Sequence, residues 1–180
     1  MGAFAPRVVG SEQLATSRVF DVVALDLDAD GARFRRVVAR HRGAVAVLAY
    51  ADGEVVLLRQ WRAPLAREVL EIPAGTRDVV GEDPEATARR ELEEETGLRA
   101  SSLERLCEVL NAPGWSVQRT LGFLATGLAE VPRRPSGPEE EASEVVRLPL
   151  ADAAAMATGP DPCDAVTAVA LLALAARPRS

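Results

Sequence analysis

One histidine and two cysteines are all the imidazole and thiol that this 180-residue chain contains, and that scarcity sets its first limits. Cys107 and Cys163 lie far apart, with no further cysteine or histidine at metal-ligand spacing. Two buried free thiols are therefore expected in place of a disulfide or a zinc site. His41 stands between Arg40 and Arg42 ahead of an apolar run, with no acidic or nucleophilic partner in view. It reads as a strand-end or surface residue, not a catalyst. No stretch reaches the apolar length of a membrane span, and the opening MGAFAPRVVG lacks the core of a signal peptide. A cytoplasmic protein without a membrane partner is the simplest expectation. A basic excess is missing too: 21 Lys+Arg stand against 27 Asp+Glu, for a net charge of −6. No nucleic-acid partner is expected.

What is present suits one enzyme domain over residues 1–180, with 1–18 as an N-terminal arm. Hydrophobic residues make up 48% and charged residues 27%, as in an ordinary globular chain long enough to bury a core. Short β-branched runs bounded by turn residues predict strands at 19–27 and 34–40, joined by Ala29-Asp30-Gly31. Further strands are predicted at 43–50 and 54–59 around Ala51-Asp52-Gly53, and at 68–73, 103–110, 119–127 and 144–150. Short and apolar helices are expected at 151–157 and 164–176. The stretch VPRRPSGPEEE, rich in Pro and charge, reads as a flexible loop. No internal repeat is visible, and the pattern predicts an α+β fold with helices on the faces of a mixed sheet.

The chemistry is concentrated between Gly75 and Leu98, in GTRDVVGEDPEATARRELEEETGL. Asp83 as N-cap, Pro84 at the first helical position and Gly97 as the left-handed stop predict a helix over 84–96. At about 100° per residue, Glu91, Glu94 and Glu95 can all face one point, while Glu93 turns to solvent. Ala88 and Leu92 would seat the helix on a sheet. Arg90 lies one turn before Glu94 and can pair with it, leaving Glu91 and Glu95 freer. Like charges so crowded repel, unless the helix is simply a solvated acidic one or a cation is expected there. Two hard carboxylates one turn apart suit Mg²⁺, which takes carboxylates, water and substrate phosphates in preference to a closed protein cage.

This segment resembles the signature of the Nudix hydrolases: Gly75, Glu82, Arg90-Glu91, Leu92, Glu94-Glu95 and Gly97-Leu98 fall at its set positions. Every spacing from Glu82 onward matches. Between Gly75 and Glu82 lie six residues where the usual pattern has five, a one-residue insertion confined to the loop. The resemblance implies an α/β/α sandwich with a mixed β-sheet. The fragments GAVAVLAY, LLRQWR, EIPAG, LNAPGW, FLATGL and EVVRLPL are most similar to the ADP-ribose pyrophosphatase branch of that superfamily.

The roles that follow are implied by this resemblance. Glu91 and Glu95 hold Mg²⁺, or Mn²⁺ in its place, assisted by Glu94 and the carbonyl of Ala74, with Arg90 beside them and Glu82 farther out. The ion screens a diphosphate and orients water for attack at phosphorus. In this branch the general base comes from a later loop, here Glu139-Glu140-Glu141. In an extended segment Glu139 and Glu141 would share a side while Glu140 faces away. Glu139 is thus the first choice as base, and as a further metal ligand, with Glu141 second; solvated acids on an exposed loop are the alternative. Arg62 would bind the diphosphate through its guanidinium. Trp61 offers a ring to stack on a base or to fill core, and Trp115 is a second stacking candidate. Gln118 stands where related sequences tend to carry an acid, so one contact there is neutral. Homodimers formed by exchanging N-terminal strands are common in the branch.

The implied activity is Mg²⁺-dependent hydrolysis of ADP-ribose or a similar nucleoside diphosphate sugar to a nucleoside monophosphate and a sugar phosphate. A nucleotide-sensing domain without turnover is a second reading, against which the intact acids weigh. A nucleoside triphosphate pyrophosphohydrolase is a third, against which EIPAG and LLRQWR weigh.

Overall fold

The computed structural model describes residues 4–160 and 163–178, which group into two compact units. The first, residues 1–43 with 110–119, carries a three-stranded antiparallel sheet of β1 (Arg7–Thr16), β2 (Phe20–Ala29) and β3 (Ala32–His41) in that order. Asp30 and Gly31 both have positive φ, as a two-residue hairpin needs, and Asp28 Oδ1 accepts from the Gly31 N–H at 3.0 Å. The ring of Phe34 stacks on Phe4 at 6.3 Å and lies beneath Arg36. β1 falls in the stretch expected to be an arm: it pairs with β2 along its own chain. His41 ends β3 as expected, and its Nδ1 accepts from the Gly43 N–H at 3.0 Å.

The second unit, residues 44–109 and 120–180, is built around β4 (Ala44–Ala51). Its run of Ala and Val is buried from Ala44 to Ala49, the pattern of a strand covered on both faces. The remaining strands are β5 (Glu54–Arg62), β6 (Arg67–Glu71), β7 (Ala74–Thr76), β8 (Leu98–Leu110), β9 (Arg119–Glu130) and β10 (Glu144–Pro149). The sheet order is β10-β5-β4-β9-β8, with β6 on β5 and β7 on β4. β4 runs parallel to β9 and antiparallel to β5 and β7, so the sheet is mixed.

Helices cover both faces. On one, Ala88 and Leu92 of α1 (Pro84–Thr96) pack with Val45, Val47, Val56 and Phe123. On the other, Ala153 of α3 (Leu150–Met156) and Val166, Leu171 and Leu174 of α4 (Ala165–Ala175) pack with Ala46, Leu48, Leu57 and Ile72. The expected α+β sandwich is therefore the fold. Asp164 caps α4, and Thr167 Oγ1 accepts the Ile72 N–H at 2.9 Å, tying that helix to the segment before the signature. The two cysteines are free, as expected, and half-buried.

One local expectation fails. Glu139, Glu140 and Glu141 are not extended but lie on a short helical turn, α2 (Pro138–Glu141), closed by the Glu141 N–H to Gly137 O bond of 3.0 Å. Pro138 at the first position favours that turn, and the alternation used to rank the three acids does not apply. No helix among the described residues is long and apolar enough to cross a membrane.

Candidate active site

The helix bearing the acids begins and ends where its capping residues demand. Asp83 accepts from the Glu85 N–H at 3.3 Å, Pro84 opens the helix, and Gly97 closes it at φ 71°. Its inner face carries Glu91 and Glu95, which are only 8% and 3% exposed. Glu93 points outward and pairs with Arg99 at 2.7 Å.

The loop before the helix makes room for these acids. β7 runs beside β4 with Ala74 opposite Ala46, and the Ala74 N–H donates to Glu95 Oε2 at 2.9 Å. A Cβ on residue 75 would overlap the Glu91 carboxyl group, so glycine lets that carboxyl lie where it does. In the loop that carries the one-residue insertion, Val79 and Val80 are 53% and 99% exposed.

Arg90 binds more than its expected partner. Its Nη1 donates to Glu91 Oε1 at 2.8 Å and to Glu94 Oε2 at 3.3 Å, while Nη2 reaches Glu82 Oε2 at 3.5 Å. Glu91 is thus not the freer carboxylate; Arg90 orients it directly. Glu82 also accepts from the buried Thr87 hydroxyl at 2.7 Å.

Electrostatics mark the pair. Burial pushes Glu91 up to about 7, helped by repulsion from Glu94 and Glu140 and opposed by Arg90. Burial pushes Glu95 up to about 8; the Ala74 N–H opposes it, and Glu91 and Glu140 add to it. Two desolvated carboxyl groups one turn apart, of which Glu91 is bonded to Arg90 at 2.8 Å, form a hard-oxygen donor set that fits a divalent cation. Among the described residues no three His, Cys, Asp or Glu side chains are gathered closely enough to hold an ion unaided.

Arg62, at the end of β5, meets a partner that sequence reasoning left without a role. Glu71, 8% exposed, accepts from Arg62 Nε at 2.9 Å and Nη2 at 2.5 Å. This bond raises the Arg62 pKa, against burial, and the charges of Glu71, Glu95 and Glu139 add to it. Trp61 is 51% exposed and does not fill core, contrary to the commoner use of an aromatic. Trp115, in the other unit, is 63% exposed, and its carbonyl accepts from the Ala39 N–H at 2.8 Å. Gln118 lies in that same unit, its N–H on Ser116 Oγ at 3.1 Å.

Of the loop acids, Glu140 is half-buried, while Glu139 and Glu141 are exposed. The charge of Glu140 is felt at both Glu91 and Glu95, and that of Glu139 at Arg62. The residues from 131 to 137 are not the loose loop expected. Val131 N–H donates to Gly97 O at 2.9 Å and Arg134 N–H to Glu94 O at 3.1 Å. Arg133 Nε donates to Glu95 O at 2.6 Å. Neither Glu71 nor Arg133 could be found from spacing, since Arg133 meets a backbone carbonyl 38 residues away.

Comparison with known proteins shows the family. The NUDIX domain family model matches residues 39–165. The chain therefore belongs to the Nudix family and is a Nudix pyrophosphohydrolase. Within that family it is of the ADP-ribose pyrophosphatase-like kind. The ADP-ribose pyrophosphatase of Bacillus subtilis is 36% identical over 95% of this chain and 93% of its own length. That of Mycobacterium tuberculosis is 40% identical over 81% of this chain and 72% of its own. A GDP-mannose pyrophosphatase of Yersinia pestis is 35% identical over 69% of this chain and 66% of its own. The solved structure of an ADP compounds hydrolase superposes with a TM-score of 0.79 at 29% identity, covering 94% of this chain and 92% of that one.

Proposed function

We propose that this enzyme hydrolyses the diphosphate bond of ADP-ribose, or of a similar nucleoside diphosphate sugar, giving a nucleoside monophosphate and a sugar phosphate. The observation that carries this reading is the buried Glu91 and Glu95 pair, seated against Ala74 and Gly75. Glu91, Glu95 and the Ala74 carbonyl would hold Mg²⁺ or Mn²⁺, and we add Glu94 and Glu139 as further ligands. When bound, the ion polarises the phosphoryl oxygens and lowers the pKa of attacking water.

The remaining work falls to the chain. Arg90 orients Glu91 and Glu94 through its two Nη1 bonds. Arg62, with two of its nitrogens on Glu71, offers Nη1 and its positive charge to the diphosphate. A glutamate among Glu139, Glu140 and Glu141 takes the proton of the attacking water. The exposed ring of Trp61 stacks on the nucleobase, and Trp115 is a second exposed indole offered for stacking. We place the enzyme in the cytoplasm as a homodimer; exposed Val8, Leu14 and Val37 on the sheet of the first unit support an apolar subunit contact.

The test is incubation with Mg²⁺ and a panel of ADP-ribose, GDP-mannose, other nucleoside diphosphate sugars and nucleoside triphosphates, followed by product identification. ADP-ribose is expected to give AMP and ribose phosphate, and a chelator to stop the reaction. Preferential cleavage of GDP-mannose would move the substrate to that sugar nucleotide. Cleavage of triphosphates alone, or tight binding without cleavage, would overturn the proposal.

A further inference from the structure

Arg133 joins two parts of the candidate site that the sequence places far apart. Its three guanidinium nitrogens reach four acceptors. Nε donates to Glu95 O at 2.6 Å, and Nη1 to Ser143 O at 3.1 Å. Nη2 donates to Glu140 O at 2.8 Å and to Ser143 Oγ at 2.5 Å. Glu95 O belongs to the last turn of α1, and Glu140 O to the last turn of α2. The end of α1 leaves its final carbonyls without helical partners, and Arg133 serves Glu95 O there while adding to the Ser143 N–H and hydroxyl bonds that Glu140 O accepts at 3.1 and 2.8 Å.

The neighbouring contacts reinforce the join. Val131 and Arg134 donate from the backbone to Gly97 O and Glu94 O at 2.9 and 3.1 Å. A Cβ on residue 97 would stand 2.9 Å from Val131 O and 3.3 Å from Arg133 Cβ, so the missing side chain admits this segment. On the other side, the Ser143 hydroxyl donates to Glu140 O at 2.8 Å, and Ser143 is 7% exposed. Glu140 Oε2 accepts from the Ser136 N–H at 2.6 Å. The segment 131–143 is thereby fastened to the end of the helix whose inner face carries Glu91 and Glu95.

We propose that Arg133 is a positioning residue, whose forked hydrogen bonds from Glu95 O to Glu140 O and Ser143 hold the Glu139–Glu141 turn in register with the Glu91 and Glu95 carboxylates. It touches neither substrate nor metal in this role. The inference rests on the reading of that turn as the source of the base. Lysine cannot replace it fully, because a single ammonium cannot span the planar fork that meets both helix ends.

The test compares the full-length protein with Arg133→Ala, Arg133→Lys and Ser143→Ala. Two measurements are made: backbone hydrogen exchange across the chain, and kcat and KM for the best substrate of the panel at saturating Mg²⁺. Losing hydrogen bonds from a charged donor should speed exchange in 134–143 by about 10-fold or more in Arg133→Ala, with the middle of α1 unchanged. Misplacing a catalytic group costs roughly 10- to 100-fold in kcat, and KM should stay within about 3-fold. Arg133→Lys should recover part of both effects. Ser143→Ala, which removes one acceptor of Arg133 and one donor to Glu140 O, should show a smaller change of the same kind.

Unchanged exchange in 134–143 overturns the proposal, as does a loss of kcat that follows general unfolding of the chain. Faster exchange with kcat intact also overturns it, because the turn then needs no holding. If the wild type turns over nothing, the hydrolase reading fails by itself; exchange then still shows whether Arg133 fastens the turn, and a fastened turn without turnover overturns the catalytic part of this inference.

Discussion

The carboxyl group of Glu91 occupies the space in which a side chain on residue 75 would begin. Gly75 therefore shapes the seat of Glu91 without contributing a functional group, and Arg90 bonds the same carboxyl through Nη1 at 2.8 Å. Gly75→Ala should leave the fold standing, because a carboxylate at the end of a flexible side chain can move aside. Activity at limiting Mg²⁺ should fall roughly 10- to 100-fold, the usual cost of disturbing the support of a metal ligand. A metal titration of activity that superposes on the wild type would remove this role from Gly75.

Stability should depend on pH in a direction set by the same carboxyl groups. In the unfolded chain a glutamate ionises near 4.5, whereas Glu91 and Glu95 hold their protons to about 7 and about 8 in the fold. Between those values the folded state carries more protons than the unfolded one, so stability falls as pH rises through that window. The Tm of the metal-free protein should decline from about pH 5 to about pH 8.5, and added Mg²⁺ should raise it most at the upper end. Glu95→Gln removes one buried ionisation: its Tm profile should be flatter while most turnover is lost. A variant with near-normal turnover at limiting Mg²⁺ would remove Glu95 from the ligand set.

Among the loop acids, the helical turn changes which variant is expected to matter. Glu140 is half-buried and its charge reaches Glu91 and Glu95, so Glu140→Gln should lower kcat by about 10²-fold with little change in KM. Glu139→Gln comes next, since its charge reaches Arg62, and Glu141→Gln last. Three single variants with parental kcat would place the base outside the turn, with Glu94 or Glu82 next in line.

Arg62 and Glu71 should separate binding from stability. Arg62→Ala is expected to raise KM and to lower Tm, because Glu71 is left buried without its partner. Adding Glu71→Gln should return most of the Tm and none of the KM. A KM unaffected in both variants would remove Arg62 from the substrate site.

Features that depend on neighbours along the chain are legible in the sequence by itself. α1 starts and stops as Asp83, Pro84 and Gly97 dictate, and the spacing of Glu91 and Glu95 sets them on one face, because caps and helical periodicity act within a few residues. The central strands are equally plain, since β4 is apolar at every position from 44 to 49. β1 and the three-residue β7 are not, because their strand form comes from pairing with β2 and β4. The pairing of Arg62 with Glu71, the seat of Glu91 against Gly75, and the hold of Arg133 on Glu95 O and Glu140 O are decided only by the tertiary structure. Each joins groups from separate elements, and in Arg133 the acceptors include backbone carbonyls, which every residue carries and no sequence pattern can mark.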